Sequence, residues 1–143
     1  MSPINWALRP LKRYADFSGR SPRAEYWWFV LLQAVLIWVP LTFMVIGSIG
    51  AAEAGVGGAA APALGGGFLL IGLAFLALFI PNLAVQVRRL HDQDKSGWVI
   101  LLFFIPYIGG IVALIFMCIG GTRGGNQYGP DPYAQENLHD VFA

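Results

Sequence analysis

Three long apolar segments alternate with polar ones along the chain, and this pattern predicts its architecture. Tyr26–Ile49, Phe68–Val87 and Trp98–Ile119 contain no Asp, Glu, Lys or Arg. As an α-helix rising about 1.5 Å per residue, each is long enough to cross a hydrocarbon core about 30 Å thick. The pattern therefore predicts an all-α membrane protein with three transmembrane helices and a short interfacial amphipathic helix before them.

The polar boundaries divide this single membrane domain, residues 1–143, into six parts. They are an interfacial segment (1–21), helix 1 (22–49), an external Ala/Gly loop (50–67), helix 2 (68–92), helix 3 (96–119) and a tail (120–143). Ser21 followed by Pro22 is typical of a helix N-terminus and predicts the start of helix 1. Ser96 or Asp94 is expected to cap helix 3.

Helix 3 contains Pro106 at its centre, followed by two glycines, Gly109 and Gly110. A proline kink within one continuous span explains this at the cost of about one hydrogen bond. A re-entrant hairpin is the alternative, but its turn would leave backbone groups unpaired in the middle of the bilayer. We therefore expect a full third span, kinked at Pro106.

Basic residues predict the orientation of these helices in the membrane. Five Lys or Arg residues precede the first apolar segment at Tyr26, residues 51–67 contain none, and residues 88–97 contain three. Because Lys and Arg concentrate in cytoplasmic loops, the N-terminus is expected in the cytoplasm and the Ala/Gly loop outside. Three spans would then place the C-terminal tail in the periplasm.

Composition excludes several other classes of protein. Hydrophobic residues make up 57% of the chain and charged residues only 12%, about half the charged fraction of a soluble domain. A net charge of +1 gives no field that would attract nucleic acid. The single cysteine, Cys118, excludes an internal disulfide and a multi-cysteine zinc site.

Charged residues gather where helix 1 begins and where helix 2 ends, both on the predicted cytoplasmic side. The candidate site residues are Arg20, Arg23, Glu25, Arg88, Arg89, His91 and Asp92. One interpretation is a charged clasp between the two helices, with pairs such as Glu25–Arg89 and Asp92–Arg23. Another is a basic pocket for an anionic lipid head group. Catalysis by His91 with Asp92 is a weaker hypothesis, because adjacent helical positions point in different directions.

A polar stripe descends helix 2 towards this cluster. Asn82, Gln86 and Arg89 are spaced i, i+4 and i+7, so they share one face of the helix. Because amides facing lipid are costly, the stripe is expected to face another helix or to line a polar path.

Neither a metal site, a cofactor site nor a catalytic residue is predicted. The run from Asp92 to Gly97 matches the first half of a calcium-binding loop. The twelfth position of such a loop needs a bidentate Glu, and here it is Phe103. A tight turn is therefore the better interpretation of this run.

Five motifs occur in order along the chain and carry a family resemblance. They are Phe17-x-Gly19-Arg20-x-x-Arg23-x-Glu25-Tyr26-Trp27, Arg88-Arg89-Leu90-His91-Asp92, Ser96-Gly97-Trp98, Pro106-x-x-Gly109 and Gly121-Thr122-x-Gly124-x-Asn126-x-Tyr128-Gly129-Pro130-Asp131-Pro132. Together they resemble the "domain of unknown function 805" family of small bacterial inner-membrane proteins, over about residues 5–133. The resemblance implies an all-helical fold in a bacterial inner membrane and implies no activity. It also marks the seven candidate site residues as family motif positions.

The leading hypothesis is a non-enzymatic accessory or scaffold subunit, or a homo-oligomer. Its expected partners are membrane lipids, anionic ones included, and a protein partner or a second copy. A transporter or channel component using the stripe Asn82, Gln86 and Arg89 is the first alternative. An enzyme or binder acting on anionic lipid head groups is the second.

Overall fold

The structure is helical in every regular element. The computed structural model describes residues 2–55 and 57–134. Its elements are α1 (Pro3–Lys12), α2 (Arg23–Glu53), α3 (Gly57–Asp92), a 3-10 helix (Gly97–Phe104) and α4 (Gly109–Cys118). Across the described ranges the only extended pairing is one isolated bridge, between Asn126 and Gly129. The predicted all-α class is confirmed, and residues 135–143 of the predicted tail lie outside the described residues.

Two helices are long and apolar enough to cross a membrane. They are α2, over Arg23–Glu53, and the part of α3 over Leu64–Asp92, whose most apolar stretches have mean hydropathies of 2.4 and 2.5. Two of the three predicted spans are therefore present as continuous candidate helices.

The Ala/Gly segment differs from its prediction as an 18-residue external loop over 50–67. Helix α2 continues to Glu53 and α3 already begins at Gly57, so only a short connector separates them. Alanine has the highest helix propensity of all residues, and several alanines lie among these glycines. Low complexity alone was therefore a poor guide to a loop.

The predicted third span is replaced by a helical hairpin. Residues 97–104 form the 3-10 helix, residues 105–108 turn, and α4 follows. Ser96 caps the first arm, because its Oγ accepts a hydrogen bond from the Trp98 N–H at 3.4 Å. The expected cap is thus confirmed, whereas the single kinked helix over 96–119 is not what the structure contains.

Backbone hydrogen bonds within the turn explain why a hairpin is possible here. The N–H of Gly109 donates to the Ile105 carbonyl at 2.8 Å, and that of Ile108 donates to the Pro106 carbonyl at 2.9 Å. Backbone groups that we expected to stay unpaired in such a turn are thus hydrogen-bonded within it. Glycine is required at 109, because a Cβ there would lie 2.2 Å from the Phe103 carbonyl oxygen.

The second arm of the hairpin returns beside the start of the first. The rings of Phe103 and Phe116 are 6.1 Å apart. The Gln93 amide donates to the Phe116 carbonyl, and the Lys95 ammonium lies 5.8 Å from the Phe116 ring. The chain after α4 therefore re-emerges next to the end of α3.

The chain forms two compact units. The charged unit comprises the described parts of 1–30 and 80–143, and the apolar unit comprises 31–79. Buried apolar residues of the charged unit include Trp6, Phe29, Val85, Leu90 and Met117. They come from α1, the start of α2, the end of α3 and α4.

The apolar unit exposes most of its large side chains. Phe43 is 75% exposed and Leu70 is 69% exposed, as suits helices whose solvent is lipid. Within this unit a Cβ added to Gly67 would lie 2.0 Å from the Met44 sulfur. Gly67 therefore allows a close approach of Met44 to the α3 backbone.

Candidate functional site

A buried ion-pair group centred on Asp92 lies at the C-terminal end of α3. Its Oδ1 is 2.9 Å from Nη2 of Arg20 and accepts a hydrogen bond from Nε of Arg20 at 3.0 Å. Its Oδ2 accepts from Nη1 of Arg89. All three side chains are at most 2% exposed. One carboxylate is thus shared by two buried guanidinium groups.

The same group ties down the tail. Arg20 donates to the carbonyls of Thr122 and Gly124, each at 2.6 Å, and Arg89 donates to the Ile119 carbonyl. In return, the Thr122 N–H donates to the Asp92 carbonyl at 2.8 Å. The described tail therefore lies at the same end of the charged unit as Arg20. The predicted placement of the tail in the periplasm stays a prediction.

Glycine 121 in the tail is explained by this contact. A Cβ at that position would lie 2.0 Å from Oδ2 of Asp92. Any side chain there would push the tail off the carboxylate. Gly121 and Thr122 of the fifth sequence motif are thus the residues through which the tail contacts α3.

A second buried ion pair joins the start of α2 to α3. The Nη2 atom of Arg88 is 3.1 Å from Oε1 of Glu25, and both side chains are fully buried. Arg9 approaches the same carboxylate, with its Nη1 3.5 Å from Oε2. Neither oxygen of Glu25 makes a well-aligned hydrogen bond among the described residues. The pair is therefore held by charge and packing more than by hydrogen-bond geometry.

Helix geometry assigns the two adjacent arginines to different partners. Consecutive helical positions are about 100° apart, so Arg88 and Arg89 cannot face the same neighbour. Arg88 meets Glu25, while Arg89 meets Asp92 one turn further on. The clasp interpretation is supported, but the pairs predicted for it, Glu25–Arg89 and Asp92–Arg23, are wrong.

Arg23 stands apart from both buried groups. It is exposed, and its Nη2 lies close to Gly120, where a Cβ would be 2.6 Å away. The residues of the two predicted pairs therefore fall into separate groups, and Arg23 lies beside the tail at Gly120.

His91 is used for packing at this end of the molecule. Its ring stacks on Tyr128 at a centroid distance of 3.9 Å and an angle of 2°, and its Nδ1 lies 3.3 Å from the Gly19 carbonyl. The neighbouring carboxylate of Asp92 is engaged by two arginines. The weak hypothesis of a His91–Asp92 catalytic pair gains no support from these contacts.

The polar stripe of α3 is paired within its own helix. The Gln86 amide donates to Oδ1 of Asn82 at 3.2 Å, and both side chains are partly buried. Arg89, the third member, belongs to the Asp92 group. A polar path along this face remains a prediction.

A cavity of about 250 Å³ opens between α1 and the tail. Arg9, Arg13 and Arg20 line it together with Tyr128 and Asp131. Arg9 and Arg13 were not among the candidate site residues. Their signal in the sequence is the basic side of the amphipathic N-terminal segment, a pattern typical of a position at the membrane surface.

Two carboxylates outside the helices have shifted pKa values. The Ser18 hydroxyl and the Arg13 guanidinium, both bonded to Asp16, hold the pKa of that carboxyl well below its usual range. The backbone N–H groups of Tyr133 and Gly124 lower the pKa of Asp131. Both acids are therefore ionised at neutral pH.

No group of three or more His, Cys, Asp or Glu within the described residues is placed to hold a metal ion.

The sequence is similar to known proteins over most of its length. A family model described as "Protein of unknown function (DUF805)" matches residues 14–130, which include every residue of both buried ion pairs. The chain belongs to the DUF805 family. This DUF805 chain is similar to two Escherichia coli (strain K12) proteins, over 129 residues in each case. It is 40% identical to inner membrane protein YhaH, covering 90% of this chain and 97% of the relative. It is 43% identical to inner membrane protein YhaI, covering 90% of this chain and 96% of the relative.

The relatives' names and the fold agree on a membrane location. Both relatives are named inner membrane proteins, and this DUF805 chain has two helices long and apolar enough to cross a membrane. No solved structure matches the chain. The resemblance to the family drawn from the five motifs is confirmed.

Proposed function

We propose that this protein is a non-enzymatic inner-membrane protein, acting as an accessory or scaffold subunit of a larger assembly or as a homo-oligomer. The observation that carries the proposal is the use made of the buried ionisable groups. Arg20 and Arg89 each bind Asp92 and the tail, and Arg88 binds Glu25. A general acid or base needs an atom free to exchange a proton with substrate. These groups are instead engaged in ion pairs and hydrogen bonds that hold segments of the chain together.

The exposed surfaces of the candidate spans support an assembly. Trp38 is 64% exposed and Phe43 is 75% exposed, in a helix for which lipid or protein is the natural cover. Because buried ion pairs hold the charged unit together, it offers a partner a rigid binding surface.

The assembly is tested by native mass spectrometry of the full chain, extracted with its own lipids in polymer-bounded discs. We expect particles with two or more copies, or with one other protein at fixed stoichiometry. A single copy accompanied only by lipid would contradict the proposal.

We also propose a topology of two spans and a half-way hairpin, with the described tail in the cytoplasm. The 3-10 arm has 8 residues and α4 has 10. At about 2.0 and 1.5 Å per residue they are about 16 and 15 Å long, half the thickness of a hydrocarbon core of about 30 Å. All nine Lys and Arg residues would then lie on one side, with none in residues 51–67. The positive-inside rule favours this arrangement over three full spans.

Labelling of single cysteines in intact cells tests the topology. In a Cys118→Ala background, Gln127→Cys and Lys12→Cys should react with a membrane-impermeant maleimide only after the membrane is broken. Glu53→Cys should react in intact cells. Labelling of Gln127→Cys in intact cells would refute the half-way hairpin.

A further inference from the structure

The cavity between α1 and the tail has an unbalanced charge. Three arginines, Arg9, Arg13 and Arg20, line it with one acid, Asp131. Since Asp131 is ionised at neutral pH, the lining side chains still carry a positive excess. A positive excess that lines a cavity attracts an anion.

The ion pairs around the cavity do not remove this excess. In the pairs of the described residues, five arginines share three carboxylates, with Asp16, Glu25 and Asp92 as the acids. Counting Asp131 as a fourth acid still leaves one positive charge over. The arginines that line the cavity carry like charges and repel one another, so a bound anion would stabilise their arrangement.

The three arginines have different roles towards a ligand. The N–H groups of Arg20 are engaged by Asp92 and by tail carbonyls, so Arg20 contributes mainly its positive charge to anion binding. Arg9 and Arg13 keep 32% and 28% of their side-chain surface exposed. Arg13 donates to Asp16 and to the Ser18 carbonyl, which is fewer contacts than the five N–H donors of a guanidinium permit. Arg9 and Arg13 are therefore the groups that would touch the anion.

Size and position narrow the class of ligand. A volume of about 250 Å³ lies below the range of about 300–1,000 Å³ found for drug-sized ligands, so a small polar group fits better than a whole metabolite. One wall is α1, whose Ile4 is 70% exposed and whose amphipathic pattern suits the membrane surface. Guanidinium groups bind phosphate with paired N–H donors.

We propose that this cavity binds a phosphate group, presented by an anionic lipid head group or as free phosphate. The contacting side chains are Arg9 and Arg13, the charge of Arg20 supports them, and Asp131 limits the affinity. The site is independent of the proposed scaffold function, since neither needs the other. It also differs from the head-group pocket expected from the sequence, because Arg88 and Arg89 are buried in ion pairs.

The test measures thermal stabilisation of the purified full chain in detergent by three probes: phosphatidylglycerol, phosphatidylcholine and inorganic phosphate. We expect saturable stabilisation by phosphatidylglycerol or by inorganic phosphate, and none by phosphatidylcholine. In Arg13→Gln the half-saturating concentration should rise about tenfold, the usual effect of losing one charge-assisted contact. In Asp131→Asn it should fall roughly threefold or more, because the opposing charge is gone.

Lys12→Gln is the matched control, because it removes the same charge from the neighbouring exposed residue, which does not line the cavity. Its half-saturating concentration should equal that of the natural protein. Saturation by phosphatidylglycerol alone identifies a lipid ligand, and saturation by inorganic phosphate with the same dependence on Arg13 identifies free phosphate. Equal stabilisation by phosphatidylcholine, or an equal loss in Lys12→Gln, would overturn the proposal. If Arg13→Gln does not fold, an unchanged response in Asp131→Asn overturns it too.

Discussion

Replacing Asp92 by Asn should release the tail and destabilise the charged unit. Asp92 is the one carboxylate shared by Arg20 and Arg89, and all three side chains are at most 2% exposed. Neutralising it leaves two buried guanidinium groups without a counter-charge. Breaking one buried pair costs about 3–5 kcal/mol. Because Asn keeps an acceptor for the Nε of Arg20, we take about 3 kcal/mol as the lower bound.

The tail supplies a direct assay for this change. Arg123 is exposed and lies in the segment held by Arg20, so trypsin should cut there only when the tail opens. A loss of about 3 kcal/mol raises the open population by about two orders of magnitude. We therefore expect the cleavage rate at Arg123 to rise roughly 100-fold in Asp92→Asn, with a lower melting temperature in detergent.

The matched control for Asp92 is Glu53→Gln, which removes an exposed acid from the end of α2. It should change neither the cleavage rate nor the melting temperature, since surface substitutions stay within about 0.5 kcal/mol. If Asp92→Asn behaves like Glu53→Gln in both assays, the reasoning about a shared buried carboxylate is refuted.

Three further predictions follow from the packing and the charges. Gly109→Ala should reduce the stability by about 1–3 kcal/mol, and so lower the melting temperature, because its Cβ would meet a backbone carbonyl at 2.2 Å. Gly110→Ala is the control and should leave the melting temperature unchanged, since the space around Gly110 is open. Equal effects of the two substitutions would contradict the hairpin packing. Glu25→Leu and Arg88→Met should each cost about 3–5 kcal/mol while the double variant regains most of that loss, and simple additivity in thermal unfolding would count against a mutual pair. The lowered pKa of Asp131 contributes stability that is present above about pH 4 and is lost on further acidification. Asp131→Asn should therefore show a smaller drop in melting temperature on acidification, and an identical drop would exclude that role.

Parts of the candidate site were predictable because local patterns specify them. Glu25 and Arg88 are brought together by two helices that run to the same end of the charged unit, and the positions of charges along the chain already placed them there. What the pattern could not supply was the choice of partner. Arg89 and Arg88 are equally basic neighbours, and only the rotation of α3 against its surroundings assigns Glu25 to one and Asp92 to the other.

The cavity escaped prediction for a different reason. Arg9 lies in α1 and Arg13 directly follows it, while Asp131 lies far along the chain in the tail. Their meeting depends on where the tail returns, which follows from the hairpin and not from any local signal.

The sequence by itself determined the membrane class, the two long spans, the concentration of charge at one end and the family. Each of these rests on the length of an apolar run or on residues near one another in the chain, where hydrophobicity and spacing are decisive. Only the tertiary structure decided that Trp98–Ile119 folds back on itself, because the alternatives differ in a few turn hydrogen bonds that no apolar pattern records. From that single turn follow the return of the tail, the contact of Gly121 with Asp92 and the meeting of the residues that line the cavity. Such long-range contacts depend on the mutual fit of several segments, and no one segment encodes them.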